Sequence, residues 1–185
     1  MDRRTVRSER SKATLKAAFL ELFQTKEPEE ITVVELCQKA GLNRSTFYAH
    51  YEYMHNLVQE VLWESVKKVL EGHTSTQWDL PLEEDGGVDR DYIISYMHRF
   101  LNDPTIQRFC RCKNSGNYRA LVIRAHVVLT LGSSQDPVRY YAAYCHNAGV
   151  LNFLLEWFND GSPIPEETAA GIIHDFSKIM YKREP

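Results

Sequence analysis

Between residues 31 and 51 the chain has room for little other than two short helices joined by a tight turn. Thr32 followed by Glu35 is a capping box, in which the two side chains satisfy free backbone amides at a helix start. Ile31 before the cap and Leu36 inside the first turn are spaced as a hydrophobic staple, while Val33, Leu36, Cys37 and Ala40 form an apolar stripe. Gly41 then ends the helix, because glycine takes the left-handed C-cap conformation without steric cost. Asn43 is placed to cap a second helix, in which Arg44, Ser45, Thr46 and Tyr48 set polar tips around the aromatic Phe47. Such a pair is a helix-turn-helix, whose second helix presents its N-terminal residues to base edges in the DNA major groove.

The residues upstream complete a three-helix head. Leu15, Ala18, Phe19, Leu22 and Phe23 recur at the spacing of one helix face and predict an amphipathic helix beneath the other two. Ahead of that stripe, Arg3, Arg4, Arg7, Arg10, Lys12 and Lys16 stand against Asp2 and Glu9, a local charge of +4 in a chain whose net charge is −3. Positive charge gathered at one end suits phosphate contacts or insertion into a minor groove.

Composition sets bounds consistent with this. A chain of 185 residues, 43% hydrophobic and 25% charged, buries a real core and holds one domain or two closely packed ones. It lacks an apolar run of 18 residues and begins with charge, so neither membrane insertion nor export is expected and the expected location is cytoplasmic. The four cysteines, Cys37, Cys110, Cys112 and Cys145, are scattered and suit a reducing compartment. Cys110 and Cys112, flanked by Arg108, Arg111 and Lys113, offer an alternative thiol sensor of oxidants, but they lack the further ligands of a zinc site. Without a phosphate-binding loop, a nucleophile elbow or a metal-ligand motif, the sequence predicts no enzyme, no cofactor and no metal.

Beyond the head the expected class is all-α. An amphipathic rod from Tyr53 to about Leu70 is followed by a stretch over 71–90 with Gly72, Pro81, Gly86, Gly87 and the acidic Glu83, Glu84 and Asp85, which reads as an exposed connection. Helices are predicted from about Tyr92 to Asn102, Thr105 to Cys112 and Tyr118 to Leu131. Residues 138–158 are apolar on nearly every side, and a helix of that kind must be covered on every side. After the turn at 159–165 a last helix carries Ala169, Ile172, Ile173, Phe176, Ile179 and Met180. The predicted cover is a second copy of the chain, meeting the first in a four-helix homodimer interface through Tyr141, Leu151, Leu154, Trp157, Phe158, Ile172, Phe176 and Ile179.

The run Ala40-Gly41-Leu42-Asn43-Arg44-Ser45-Thr46-Phe47-Tyr48-Ala49-His50-Tyr51, with Leu57 beyond it and the amphipathic helix in front, resembles the TetR/AcrR family of bacterial transcriptional regulators over about the first 60 residues. A looser likeness covers Tyr140 to Phe158 and is similar to the family's dimerisation region. The resemblance implies a DNA-binding domain over 1–52 and a ligand-binding and dimerisation domain over 53–185. It implies base or phosphate contacts from Arg44, Ser45, Thr46, Tyr48 and His50, joined by Thr32 and the basic Arg3, Arg4 and Arg7, with Phe47 and Tyr51 as buried anchors. Tyr53 and Met54 stand where the family often has a small capping residue and a lysine, so fewer phosphate contacts and a shallower salt dependence are expected.

A dimer of this kind needs a near-palindromic double-stranded DNA operator with half-sites about 34 to 36 Å apart. The resemblance further implies repression, relieved by a small-molecule effector in the C-terminal domain. Tyr92, Tyr96, Phe100, Tyr118, His126 and Tyr144, aromatics with polar tips among them, are the candidate pocket residues. Control by a protein partner instead of a small molecule is the other alternative beside the thiol sensor.

Overall fold

The computed structural model describes residues 3–70, 81–131 and 136–180, with side chains described for 5–70, 81–131 and 136–178. Among these residues the fold is all-helical, with nine α-helices, one 3-10 turn at Pro28–Glu30 and a single isolated bridge between Leu82 and Val88. The helices are α1 (Arg3–Phe23), α2 (Val33–Ala40), α3 (Arg44–Tyr48), α4 (Met54–Leu70), α5 (Arg90–Asn102), α6 (Pro104–Arg111), α7 (Ser115–Leu131), α8 (Pro137–Asn159) and α9 (Glu166–Met180). The chain divides into two compact units, Met1–Leu62 and Trp63–Pro185.

In the first unit the α1 stripe is buried at Leu15, Ala18, Phe19 and Phe23, and the Phe19 and Phe23 rings stack 5.5 Å apart. Against it lie Leu36 and Cys37 of α2, Phe47 of α3, and Leu57, Val58, Val61 and Leu62 of α4, all buried. The Thr32 hydroxyl accepts the Glu35 amide at 3.2 Å, so the cap forms, while the Glu35 carboxylate takes Lys26 at 2.6 Å. Gly41 sits at φ 63°, and the amides of Gly41 and Leu42 donate to the carbonyls of Gln38 and Cys37, the paired bonds of a Schellman stop. Asn43 occupies the N-cap position of α3 with extended backbone but makes no side-chain capping bond.

The second unit begins its helices on aspartates. Asp89, Asp103 and Asp136 accept the amides of Tyr92, Ile106 and Val138 at 2.8 to 2.9 Å, and each marks a start one to two residues ahead of the apolar pattern. Helix α5 packs on α6 and α9, α7 on α6 and α8, and α8 on α9. The core is built from Met97, Phe100, Ile106, Phe109, Val122, Val127, Leu154 and Ala169, all fully buried. The Trp157 indole donates to the Ile164 carbonyl at 3.1 Å and so closes the turn between α8 and α9.

The segment expected as an exposed connection over 71–90 needs correction in its described half. Residues 81–89 are fastened to α9. The Val88 amide donates to Ser177 Oγ at 2.8 Å, and the fully buried His174 places Nδ1 2.7 Å from the Val88 carbonyl and Nε2 3.1 Å from Asp85 Oδ2. Gly87 lies so close to the His174 ring that a β-carbon there would overlap it. Residues 71–80, and with them Gly72, lie outside the described residues.

Candidate nucleic-acid interface and internal cavity

Helix α3 has five residues, and its one fully buried side chain, Phe47, fixes its rotation. The Phe47 ring meets Tyr48 edge-on at 5.3 Å and Tyr51 at 5.6 Å, and Tyr51 is itself buried. With Phe47 inward, Arg44, Ser45 and Tyr48 are exposed and Thr46 is half-buried, so the polar residues expected to read DNA share the outer side of the helix. Thr32 is exposed at the start of α2, although its hydroxyl serves the cap.

His50 is half-buried and makes a contact within the head. One ring nitrogen, Nε2, lies 2.7 Å from Ser11 Oγ, which ties the end of α3 to α1. The ring therefore acts first as a strut. The basic N-terminal residues also divide. Lys12 and Lys16 turn to Glu60 of α4 at 2.9 and 3.2 Å, and Lys12 lies over the Tyr51 ring, so these two cations brace the head. Burial works to raise the Glu60 carboxyl, but the two lysines hold it below the usual range. Arg7 and Arg10 are exposed, and the helix already begins at Arg3; the side chains of Arg3 and Arg4 lie outside the described residues.

Near the start of α4, Tyr53 is exposed and stacks on His55 at 5.5 Å, and its amide donates to Asn56 Oδ1 at 3.0 Å. This Asn56 cap was not foreseen. Its signal, an asparagine three residues after a helix entry, also occurs by chance in many helices.

The residues expected at a dimer interface fall into two groups. Leu151 and Leu154 are buried within the unit and have no surface to give a partner, because the α8 face that carries them packs on the unit's own core. Trp157 is half-buried and occupied with the turn, whereas Phe158 is exposed, with the Arg111 guanidinium 5.1 Å above its ring. Tyr141, Ile172 and Phe176 are also exposed, as is Val138, one turn before Tyr141 on α8, at 75%. The side chain of Ile179 lies outside the described residues.

The second unit contains a partly open cavity of about 70 Å³, lined by Tyr92, Tyr96, Ile93, His126, Thr130, His146, Asn147 and Val150, with Leu70, Val88 and Ile173 completing the wall. Three of the six expected pocket residues, Tyr92, Tyr96 and His126, line it. Phe100 is buried behind them, with its ring 5.9 Å from Tyr96 and 6.3 Å from His126. Tyr118 instead packs on Phe109, and Tyr144 stacks with Tyr140, so neither lines the cavity. His146, Asn147, Thr130 and Val88 were missed; they come from α8, α7 and the segment before α5, and only the fold brings them together.

The cavity's polar groups are held firmly. The Tyr96 hydroxyl and His126 Nε2 lie 2.8 Å apart, and His126 Nδ1 lies 2.9 Å from the Val122 carbonyl. Burial lowers His126 from 6.5 to about 4 and does the same to His146. It also pushes the Tyr96 hydroxyl far above its ordinary value. Each of these groups is neutral at neutral pH.

Two other clusters carry titratable groups. Cys110 and Cys112 are buried, Cys112 Sγ donates to the Phe109 carbonyl at 3.1 Å, and burial pushes the Cys110 thiol up to about 11. Nearby cations act to lower a thiol, but loss of solvent outweighs Arg119 and Arg111 at Cys110, which removes its thiolate at neutral pH. Glu83, Asp85 and His174 bring potential ligand atoms within 4.8 Å of one another. Their charges are already met: Arg90 pairs with Glu83, and Lys178 Nζ lies 2.6 Å from Asp85 and holds its carboxyl well below the usual range. The cluster reads as a clasp between 81–89 and α9.

No protein-family model and no curated protein sequence matches the chain. Its fold is similar to that of a solved tetR-family transcriptional regulator from Streptomyces coelicolor, with a TM-score of 0.50 and 17% identity, over 93% of this chain and 80% of that one. At this identity the likeness is one of fold. No helix among the described residues is long and apolar enough to cross a membrane.

Proposed function

We propose that the chain is a DNA-binding transcriptional regulator of the TetR type, acting as a homodimer and repressing until an effector enters the cavity of the second unit. The observation that carries this reading is α3: a short helix pinned from below by Phe47, preceded by a Schellman turn, with Arg44, Ser45 and Thr46 turned outward. A side-chain set of this kind suits a major groove, where an arginine bonds guanine and a threonine contacts a base edge or a thymine methyl. The fold likeness to a regulator supports the same reading.

Two copies would place two α3 helices in successive major grooves, which requires half-sites about 34 to 36 Å apart. The exposed Tyr141, Ile172 and Phe176 on α8 and α9 are the surface proposed for that pairing. An effector acts by binding more tightly to a conformation whose heads are wrongly spaced, and a near-complete switch takes about 5.5 kcal/mol of differential affinity.

The test is fluorescence anisotropy with a duplex the protein has selected, compared with a scrambled duplex. Arg44→Ala and Thr46→Ala should each weaken selected-duplex binding by about 1 to 3 kcal/mol and leave scrambled-duplex binding nearly unchanged. Equal losses on both duplexes would reduce these residues to phosphate contacts, and no loss on either would remove α3 from the interface.

A further inference from the structure

The cavity of the second unit has a polarity that restricts what it will accept. Among the described residues its lining holds no carboxylate, lysine or arginine. Its polar hydrogens are committed in part: Asn147 gives one amide hydrogen to the Ala143 carbonyl at 2.8 Å and has a second, and Tyr92 adds a hydroxyl, while the groups around His126 are fixed. The Val122 carbonyl can only accept, so His126 Nδ1 carries the proton and Nε2 the lone pair; Tyr96 must then donate its hydroxyl hydrogen to His126. Thr130 donates its own hydroxyl hydrogen to the His126 carbonyl at 2.8 Å. Tyr96 and Thr130 are left with oxygen lone pairs, which accept hydrogen bonds and repel an anion. The low values of His126 and His146 remove the two groups that would otherwise supply positive charge.

The remaining lining is apolar: Leu70, Val88, Ile93, Val150 and Ile173. A space of about 70 Å³ is about half of the ~150 Å³ that takes benzene, and it is partly open, so it holds about two or three carbons of an apolar chain whose remainder extends through the open side. An ionised occupant would lose its hydration with nothing of opposite charge to replace it.

We propose that this cavity binds a small uncharged molecule with an apolar body and a hydrogen-bond donor, a short-chain alcohol. The donor meets Tyr96 or Thr130, and the chain lies against Val88, Val150 and Ile173. This names the effector class for the cavity invoked above and rests on that reading of the cavity.

The experiment is ligand-observed saturation-transfer NMR on the full chain at pH 7, without DNA, using four probes of matched size: 1-butanol, 1-methoxypropane, butanoate and butylammonium. Butanol is expected to bind, the ether about tenfold more weakly for want of a donor, and the two ions not at all. Because Tyr96→Phe alone would bare the His126 Nε2 lone pair, it is paired with His126→Leu; this double variant or Thr130→Val, each checked for folding by circular dichroism, should bring butanol to the level of the ether, and butanol unchanged in both would overturn the proposal. Val150→Trp, checked for folding by circular dichroism, should abolish binding by filling the space. Equal binding of ether and butanol, binding of either ion as tight as that of butanol, butanol binding to a folded Val150→Trp variant, or no butanol signal at any concentration would overturn the proposal. Because no DNA is present, these results stand apart from the DNA-binding test: a chain that selects an operator but ignores butanol loses only the ligand class.

Discussion

Replacing Phe47 with alanine separates what holds α3 in place from what the proposed DNA contacts require. Phe47 is fully buried in a five-residue helix, and the Tyr48 and Tyr51 rings lie 5.3 and 5.6 Å from it. Truncating a buried phenylalanine costs about 3 to 5 kcal/mol through lost burial and the cavity left behind. A unit of roughly 60 residues has a total stability of about 3 to 9 kcal/mol, so the loss is a large share of the head's stability. Helix α3 is too short to persist without tertiary packing. Hydrogen exchange read by mass spectrometry gives each unit separately: Phe47→Ala should lower amide protection across α1 to α3 by about a hundred- to several-thousand-fold while α5 to α7 keep theirs. Tyr48→Ala, at a side chain 52% exposed, should cost less than about 1 kcal/mol. Unchanged protection in Phe47→Ala, or an equal loss in Tyr48→Ala, would refute the idea that one buried ring sets the presentation of α3.

Three further outcomes follow from the same geometry. Gly41→Ala meets no atom within 4 Å but must hold φ 63°, so denaturation of the head should show a loss of about 1 to 2 kcal/mol, smaller for Gly41→Asn. Gly87→Ala drives a β-carbon into the His174 ring and should break its bonds to Val88 and Asp85, lowering the stability of the second unit by about 2 to 4 kcal/mol in thermal melts. His126 and His146 have values lowered from 6.5 to about 4, so the unfolded chain binds protons that the folded chain refuses. Their contribution is present above pH 6.5 and is lost as pH falls toward 4, by about 3 kcal/mol per histidine over the whole window; NMR titration should find neither ring protonated above pH 5, and a flat stability profile over that window would contradict it.

The parts that were legible in the sequence are those fixed by neighbours in the chain. Thr32, Gly41 and the α1 stripe act over three to eight residues, and local chemistry decides them. The loop at 81–89 was misread because its glycines and acids look like a solvated linker until His174 and Ser177, almost ninety residues away, close on it. The cavity was half legible for the same reason. Tyr92, Tyr96 and His126 were picked by chemistry, but similar aromatics at Phe100, Tyr118 and Tyr144 are turned away by packing that no spacing reveals. On α8, an all-round apolar pattern shows that every side needs cover but not which side the subunit's own core takes; Leu151 and Leu154 went inward, and Tyr141 stayed out. His50 and Lys12 show a further limit, since a basic or imidazole side chain that suits a phosphate contact is equally suited to bracing the head from within.

The central claim is that α3 reads a DNA sequence from two copies of this chain. Selection of bound duplexes from a random pool, followed by native mass spectrometry of the selected complex, tests it most directly. The expected result is one near-palindromic sequence bound by two chains or a pair of dimers, with Arg44→Ala losing preference at defined base positions. No enrichment at low salt, or the same enrichment by Arg44→Ala and the unaltered protein, would contradict it.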